Sequence, residues 1–224
     1  MVTHELMKIV IVGAGGFGRE VLWTLRDCNK VLKKYNILGF IDDDKELKNE
    51  NICGIPILGG LEWFSDQTED IYCAVATGDP KIRKSIVDKL KKNNVKFPTI
   101  VHPSVINSEY VKFGRGSIIQ AGCILSTNIE IKEFVHINMD STIAHDCIIE
   151  DFVTISPGVH INGNISIGEN TYIGTGTVTK EKITIGKYSV VGAGTVLIDD
   201  VQDFSLYVGI PGKFKKKIVE SDQH

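Results

Sequence analysis

Residues 131–167 read IKEFVHINMDSTIAHDCIIEDFVTISPGVHINGNISI, with isoleucine at 131, 137, 143, 149, 155, 161 and 167. The six-residue step continues outward to Phe113, Ile119 and Leu125 on one side and to Ile173, Thr179, Ile185, Val191 and Leu197 on the other. Fourteen of these fifteen positions are apolar, Thr179 being the exception, whereas a 42% apolar composition would supply about six. No insertion breaks the phase. Two residues before the repeat position stand mostly small or β-branched residues, such as Val135, Ser141, Val153, Val159, Ile165, Thr171, Thr177 and Thr195. Glycine follows it at Gly114, Gly168, Gly174, Gly186 and Gly192, which reads as a tight-turn requirement. A helix cannot use a period of six, because its apolar face recurs every 3.6 residues. Short parallel strands joined by turns can. Three hexads per 18-residue coil build a triangular prism, with columns such as Phe113, Ile131, Ile149, Ile167, Ile185 and Ile119, Ile137, Ile155, Ile173, Val191 stacked inside. Five coils at a strand spacing of about 4.8 Å stand about 24 Å tall.

Upstream of the repeat the pattern changes. Lys8–Val12 is a short buried strand, followed by the glycine loop Gly13-Ala-Gly15-Gly16-Phe17-Gly18 and a helical stretch over 19–34. This is G-x-G-x-x-G in a strand–turn–helix context, where bare backbone N–H groups and a helix N-terminus can face a phosphate. Residues 37–41 form a second strand ending in Asp42-Asp43-Asp44, and 71–77 another. Asp79-Pro80 then caps a helix with apolar positions at Ile82, Ile86, Val87 and Leu90. A last strand covers 97–101, and Pro98 and Pro103 bracket the boundary. The spacing therefore predicts an α/β Rossmann-like half domain over 1–102 and a repeat domain with a C-terminal tail over 103–224. NAD(P) or FAD is the commonest ligand of such a glycine loop. A domain of about 100 residues is half a dinucleotide fold, and a sugar nucleotide makes the same demand on the loop with less protein. A tight turn with no ligand is the third reading.

Composition narrows the field. The 224 residues carry a net charge of -3, with 22 glycines and only 6 prolines. That excludes a disordered chain, a collagen and a protein that grips nucleic acid through net basicity. No apolar run approaches the ~20 residues of a membrane span. The N-terminus lacks the basic start and apolar stretch of a signal peptide, so a cytoplasmic location is expected. The five cysteines lack a C-x-x-C pair and read as reduced thiols, and no cluster has metal-ligand spacing.

Chemistry concentrates at Ala144-His145-Asp146-Cys147. His145 lies two residues past a repeat position, so its side chain should leave the prism near a corner. Counting 18 onward reaches Gly163, one coil above and about 4.8 Å away. A histidine beside a glycine N–H pairs a general base with an oxyanion donor. Asp146 could hold the imidazole tautomer. A solvated corner histidine is the alternative from spacing alone. Cys147 reads as a packed thiol. The run Lys213-Phe-Lys-Lys-Lys217 could meet CoA phosphates or form a solvated helix face.

The hexad array resembles the hexapeptide-repeat, left-handed parallel β-helix acyltransferases, and the left hand is taken from that resemblance. Together with the glycine loop, Asp42-Asp43, the His-Asp-Cys corner and Gly209-Ile-Pro-Gly-Lys213, residues 7–215 resemble one subgroup. These are the sugar O- and N-acyltransferases of bacterial surface glycans, typified by the bacillosamine, perosamine and sialic-acid-type enzymes. The resemblance implies a sugar nucleotide held through Gly13, Gly15, Gly16, Phe17, Asp42, Asp43 and Gly78. It implies His145 as general base, Asp146 as its partner, Gly163 at the acetyl carbonyl and Asn138 beside the acceptor. Thr175 and Ala193 fall where such enzymes hold acetyl-CoA along a groove between prisms, in homotrimers whose active sites lie between protomers. The subgroup often has a second histidine where this sequence has Thr154. His136 and His160 read as core or surface residues.

The expected activity is therefore acetyl-CoA-dependent acetylation of a nucleotide-linked amino sugar by direct transfer, with N-acetylation of a 4-amino-4,6-dideoxy sugar foremost and O-acetylation of a sialic-acid-type sugar open. Two other classes remain: an NAD(P) oxidoreductase that uses the prism to oligomerise, and a non-catalytic repeat scaffold.

Overall fold

The computed structural model describes residues 5–47, 50–91, 93 and 95–218. It separates into two compact units. One runs to Gly78 and adds Ile82–Pro103; the other comprises Asp79–Lys81 and the chain from Ser104 onward.

In chain order the first part forms β1 (Met7–Val12), α1 (Gly16–Val31), β2 (Tyr35–Ile41), β3 (Asn51–Ile52), β4 (Ile55–Gly59), β5 (Ile71–Val75), α2 (Pro80–Leu90) and β6 (Val95–Lys96). The sheet order is β3-β4-β2-β1-β5-β6, parallel except for the β3–β4 pair. Ile9 to Val12 are all buried, as a strand covered on both faces requires. The chain steps from β1 to β2 on one side and then to β5 on the other. That reversal leaves a crevice beyond the C-terminal ends of β1 and β5.

Four local details differ from the expectation. Helix α1 starts at Gly16 rather than near Arg19, because Gly18 sits inside its first turn, where a Cβ would meet the Gly13 carbonyl oxygen at 1.9 Å. The β3–β4 hairpin turns on Cys53 (φ 51°) and Gly54 (φ 80°), and a cysteine at the first left-handed position gives little sequence warning. The strand expected over 97–101 is broken: β6 ends at Lys96 and strand structure resumes only at Ile100–Val101, around Pro98, which has no N–H to donate. On α2 the apolar Ile82 faces solvent and Arg83 is fully buried. Its Nη1 donates to the carbonyls of Thr77 (2.7 Å) and Gly78 (3.4 Å), so the β5–α2 loop takes the guanidinium that the apolar spacing had kept out.

The second unit is a left-handed parallel β-helix. Each hexad strand pairs with the strand 18 residues away, as in Ile131 with Phe113 and Ile149, and Ile137 with Ile119 and Ile155. The repeat residues from Ile119 to Leu197 are buried, and so are the small residues two before them. Several interior hydroxyls are satisfied by main chain: Ser117 Oγ donates to the Lys132 carbonyl at 2.8 Å and Thr171 Oγ1 to that of Gly186 at 2.8 Å. The exception at Thr179 has the same explanation. Its Oγ1 accepts the Asn162 N–H at 2.9 Å, while Asn162 Nδ2 donates to the Thr179 carbonyl at 2.6 Å.

The corners correct the turn reading. The left-handed residue is three places after the repeat position, at every step from Gly116 to Gly194, with φ between 53° and 76°. Asn128, Asp140, Asp146, Asn164 and Asn170 fill that place as well as glycine, as short polar side chains can. The glycines directly after the repeat position have another duty. A Cβ on Gly168 would lie 2.5 Å from Lys187 N, and one on Gly186 would lie 2.4 Å from Asp203 N. They are there for close approach between coils. At the C-terminus, Lys213–Lys217 is a strand antiparallel to Ser205–Val208, with Phe214 edge-on to Tyr207, which replaces the helix face anticipated for the lysine run.

Gly168→Ala should therefore lower stability by about 1–3 kcal/mol through overpacking. Gly158→Ala, in open space at φ 65°, should cost about 1–2 kcal/mol through conformation alone. Adding a flexible neighbour's reach distinguishes them: replacing Gly158 by Asn should recover most of the loss in thermal midpoint, and replacing Gly168 by Asn should deepen it.

Candidate active site

The crevice of the first unit is a cleft of about 170 Å³ lined by Val12, Gly13, Asp42, Asp43, Leu61 and Thr77 among others. Gly13 has φ 101°, and a Cβ there would meet the Ala76 carbonyl oxygen at 2.8 Å, so the loops after β1 and β5 close on one another at the strand reversal. Gly15 and Gly16 are exposed, with no atom within 4 Å of where a Cβ would stand, and the same open space surrounds Gly78. Helix α1 begins here with no side-chain cap and no acidic residue in its first turn, which includes the half-buried Phe17. Uncapped N–H groups in open space favour an anion. Asp42 is committed inward: Oδ2 accepts the Ala14 N–H at 2.8 Å and Oδ1 the Asp44 N–H at 3.0 Å. Asp43 Oδ1 accepts the Leu61 N–H at 3.0 Å. Both aspartates shape the cleft through backbone.

In the β-helix, the corner after Ile143 places His145 and Asp146 in solvent, with side-chain exposures of 54% and 44%. His145 Nδ1 lies 2.8 Å from Asp146 Oδ2. The other carboxylate oxygen takes Asn128 Nδ2 at 2.5 Å. The Asn128 amide first, and His145 second, hold the Asp146 carboxyl below the ordinary carboxylate range. Asp146 is thus an acceptor at neutral pH, which makes Nδ1 the donor and leaves the Nε2 lone pair free. The carboxylate stays an acceptor until pH falls through the lowered pKa of Asp146. One coil above, a Cβ on Gly163 would stand 2.7 Å from both Nε2 and Cε1, so the ring lies against bare glycine. Among the described residues the Gly163 N–H has no hydrogen-bond partner. Cys147 Sγ points to the Asn162 carbonyl at 3.3 Å, and burial pushes its thiol pKa up, so it is not poised as a nucleophile.

Asn138, Thr175 and Ala193 stand on a different corner, the one after Ile137, Ile173 and Val191. Thr175 and Ala193 are exposed. Asn138 is buried, and its Oδ1 has no partner among the described residues. One chain does not bring this corner to His145. His136 and Thr154 pair in register and are both buried, while His160 is exposed with Nδ1 2.9 Å from Thr142 Oγ1. Among the described residues no group of His, Cys, Asp and Glu could hold a metal ion.

Residues 8–90 match the family described as PglD N-terminal domain, and residues 164–199 match bacterial transferase hexapeptide (six repeats). GDP-perosamine N-acetyltransferase of Escherichia coli O157:H7 is 32% identical over 177 residues, covering 77% of this chain and 78% of that protein. The chain belongs to the hexapeptide-repeat sugar acetyltransferase family. It is therefore an acyltransferase. UDP-N-acetylbacillosamine N-acetyltransferase of Bacillus subtilis (strain 168) is 27% identical over 129 residues, 52% of each chain. Among solved structures, PerB from Caulobacter crescentus in complex with CoA and GDP-perosamine matches at a TM-score of 0.84 and 27% identity, over 95% of this chain and 99% of that one. The acetyltransferase domain of PglB from Neisseria gonorrhoeae FA1090 in complex with acetyl coenzyme A matches at 0.86 and 29%, over 94% and 100%.

This acetyltransferase holds two polar residues that the motif reading passed over, Asn128 and Arg83. Asn128 was within reach of the register, since it stands 18 residues before Asp146. Arg83 was not, because a buried cation interrupting an apolar helix face has no periodic signal. Gly163→Ala should move the imidazole, since the ring cannot stay where the new methyl goes. Steady-state kinetics should show kcat down about 10²-fold, as a displacement near 1 Å predicts, with the thermal midpoint nearly unchanged.

Proposed function

We propose that this chain transfers the acetyl group of acetyl-CoA to the amine of a nucleotide-activated amino sugar, a 4-amino-4,6-dideoxy sugar, for a bacterial surface glycan. The observation that carries the reading is the His145 corner: a ring whose Nδ1 is held by an ionised Asp146, against a glycine whose N–H has no partner among the described residues. The relatives named above are GDP-perosamine and UDP-N-acetylbacillosamine N-acetyltransferases, and of the solved structures PerB holds CoA and GDP-perosamine and the PglB domain acetyl coenzyme A, which supports the substrate pair over a redox enzyme or a scaffold. The sugar amine attacks the thioester carbonyl as Nε2 removes its proton. Gly163 N–H donates to the carbonyl oxygen as it gains charge, and the CoA sulfur leaves on collapse of the tetrahedral adduct. The first unit holds the nucleotide phosphates at Gly15, Gly16 and the start of α1, with Phe17, Asp42, Asp43 and Gly78 around them.

Three copies complete the site in this reading. His145 and the Asn138–Thr175–Ala193 corner belong to different edges of one prism, and adjoining prisms can set one against the other. One face supports such packing: Ile106, Ile124, Thr142, His160, Val178 and Val196 form its outward file, with Ile106 and Ile124 exposed at 64% and 46%. Asn138 Oδ1 would accept a hydrogen bond from the incoming amine, and Thr175 and Ala193 would line the acetyl-CoA groove. No helix among the described residues is long and apolar enough to cross a membrane. A cytoplasmic location is where acetyl-CoA and nucleotide sugars are both available.

His145→Ala should lower kcat by about 10²–10⁴-fold while light scattering still reports a trimer; turnover near wild type would sink the assignment. Incubating the protein with acetyl-CoA and UDP-, TDP-, GDP- and CMP-linked amino sugars should give an acetyl mass gain on one of them. Gly16→Asp tests the cleft of the first unit. A carboxylate at the start of α1 should leave stability equal or higher yet raise KM for the sugar nucleotide at least about 10-fold through repulsion of the phosphates, with KM for acetyl-CoA unchanged.

A further inference from the structure

The His145–Asp146 pair rests on a third side chain. Asn128 stands one coil below Asp146, and both occupy the left-handed corner position, with φ of 53° and 58°. Asn128 Nδ2 lies 2.5 Å from Asp146 Oδ1, and His145 Nδ1 lies 2.8 Å from Oδ2. An ionised carboxylate only accepts, so both neighbours donate and the two oxygens are divided between them. The corner fixes the Asp146 backbone but leaves its side-chain torsions. A carboxylate this exposed, held by the imidazole alone, could turn away into water. A second donor, delivered from a backbone that is itself tied into the next coil, fixes the plane of the carboxylate and with it the imidazole ring. An amide does so without adding charge. A lysine in its place would pair with Asp146 and weaken the field that stabilises the imidazolium formed during transfer.

We infer that Asn128 is a positioning residue for acetyl transfer: it orients Asp146 so that His145 is kept as the Nδ1–H tautomer with Nε2 presented toward Gly163. The inference rests on the reading of His145 as the base, and it extends the machinery by one coil to a residue that touches neither substrate nor imidazole.

Two variants separate positioning from folding. Asn128→Gly keeps the left-handed corner, which glycine adopts freely, and deletes only the amide. Asn128→Asp keeps the shape and replaces the donor by a second carboxylate. Imidazole ¹⁵N resonances of the substrate-free protein report the His145 tautomer directly, without reference to activity. In Asn128→Gly they should move from a single Nδ1–H form to a mixture, and kcat should fall about 10- to 100-fold with both KM values unchanged. Asn128→Asp should lose more. In an Asp146→Asn background, removing Asn128 should change kcat no further, because its effect runs through Asp146. A wild-type tautomer with wild-type kcat in Asn128→Gly, or a further loss in the Asp146→Asn background, would overturn the proposal. His145→Ala separates the two readings: if it retains turnover, the base assignment fails, whereas an inactive His145→Ala beside an unaffected Asn128→Gly removes only the role of Asn128.

Discussion

Each coil of the prism gives its strand N–H groups to carbonyls one coil away, as in His136 N to Val153 O, Thr154 N to Thr171 O and Tyr172 N to Ser189 O, at 2.9–3.0 Å. That 18-residue register is the constraint on which the rest of the structure depends. It favours a β-branched or small residue at most interior places, because columns of equivalent positions must stack at the strand spacing. At Gly168, Gly174 and Gly186 it brings the backbone of the next coil too close for a side chain. And it leaves one left-handed residue per corner, so Asn and Asp collect there beside glycine.

The same register makes the site. Residues 128 and 146 are one coil apart, as are 145 and 163, so a donor, a carboxylate, an imidazole and a bare glycine assemble at one edge without any loop to organise. Asp146 occupies its corner because aspartate tolerates a φ near 58°, and there it is also a hydrogen-bond acceptor for the adjacent ring. With His145 as the proposed base, holding it on a hydrogen-bonded ladder would limit the reorganisation that proton transfer otherwise demands. The ladder also sets a limit. Thr175 and Ala193 lie on another corner of the same rigid prism, so no local motion within one chain can carry them to His145.

How far the sequence could be read follows from which features repeat. The hexad columns, the 18-residue register and the Gly163–His145 apposition were legible because every coil restates them. The role of the glycines was misread, since a composition rich in glycine suggests turns; only the inter-coil distances show that Gly168 and Gly186 serve close approach while the turn is made three residues past the repeat position. The Cys53-Gly54 hairpin and the buried Arg83 were not legible. Each is a single event whose cause lies in a loop distant in sequence or in a conformation unusual for its residue type. Asn128 was legible in principle, but only once Asp146 was known to need a second donor.

Arg83 and the aspartates of the first unit share one physical logic. A cleft proposed for a diphosphate should not present free carboxylates, yet Asp42 and Asp43 line it. Both Asp42 oxygens and one of Asp43 accept the N–H groups of Ala14, Asp44 and Leu61, which draws the segments after β1, β2 and β4 around one space. Arg83 performs the converse service for the carbonyls of Thr77 and Gly78 after β5. The loops are thereby tied by charged side chains bonded to backbone, and Gly15 and Gly16 are left exposed beside them. Preorganisation of this kind would reduce the ordering cost of binding the proposed nucleotide.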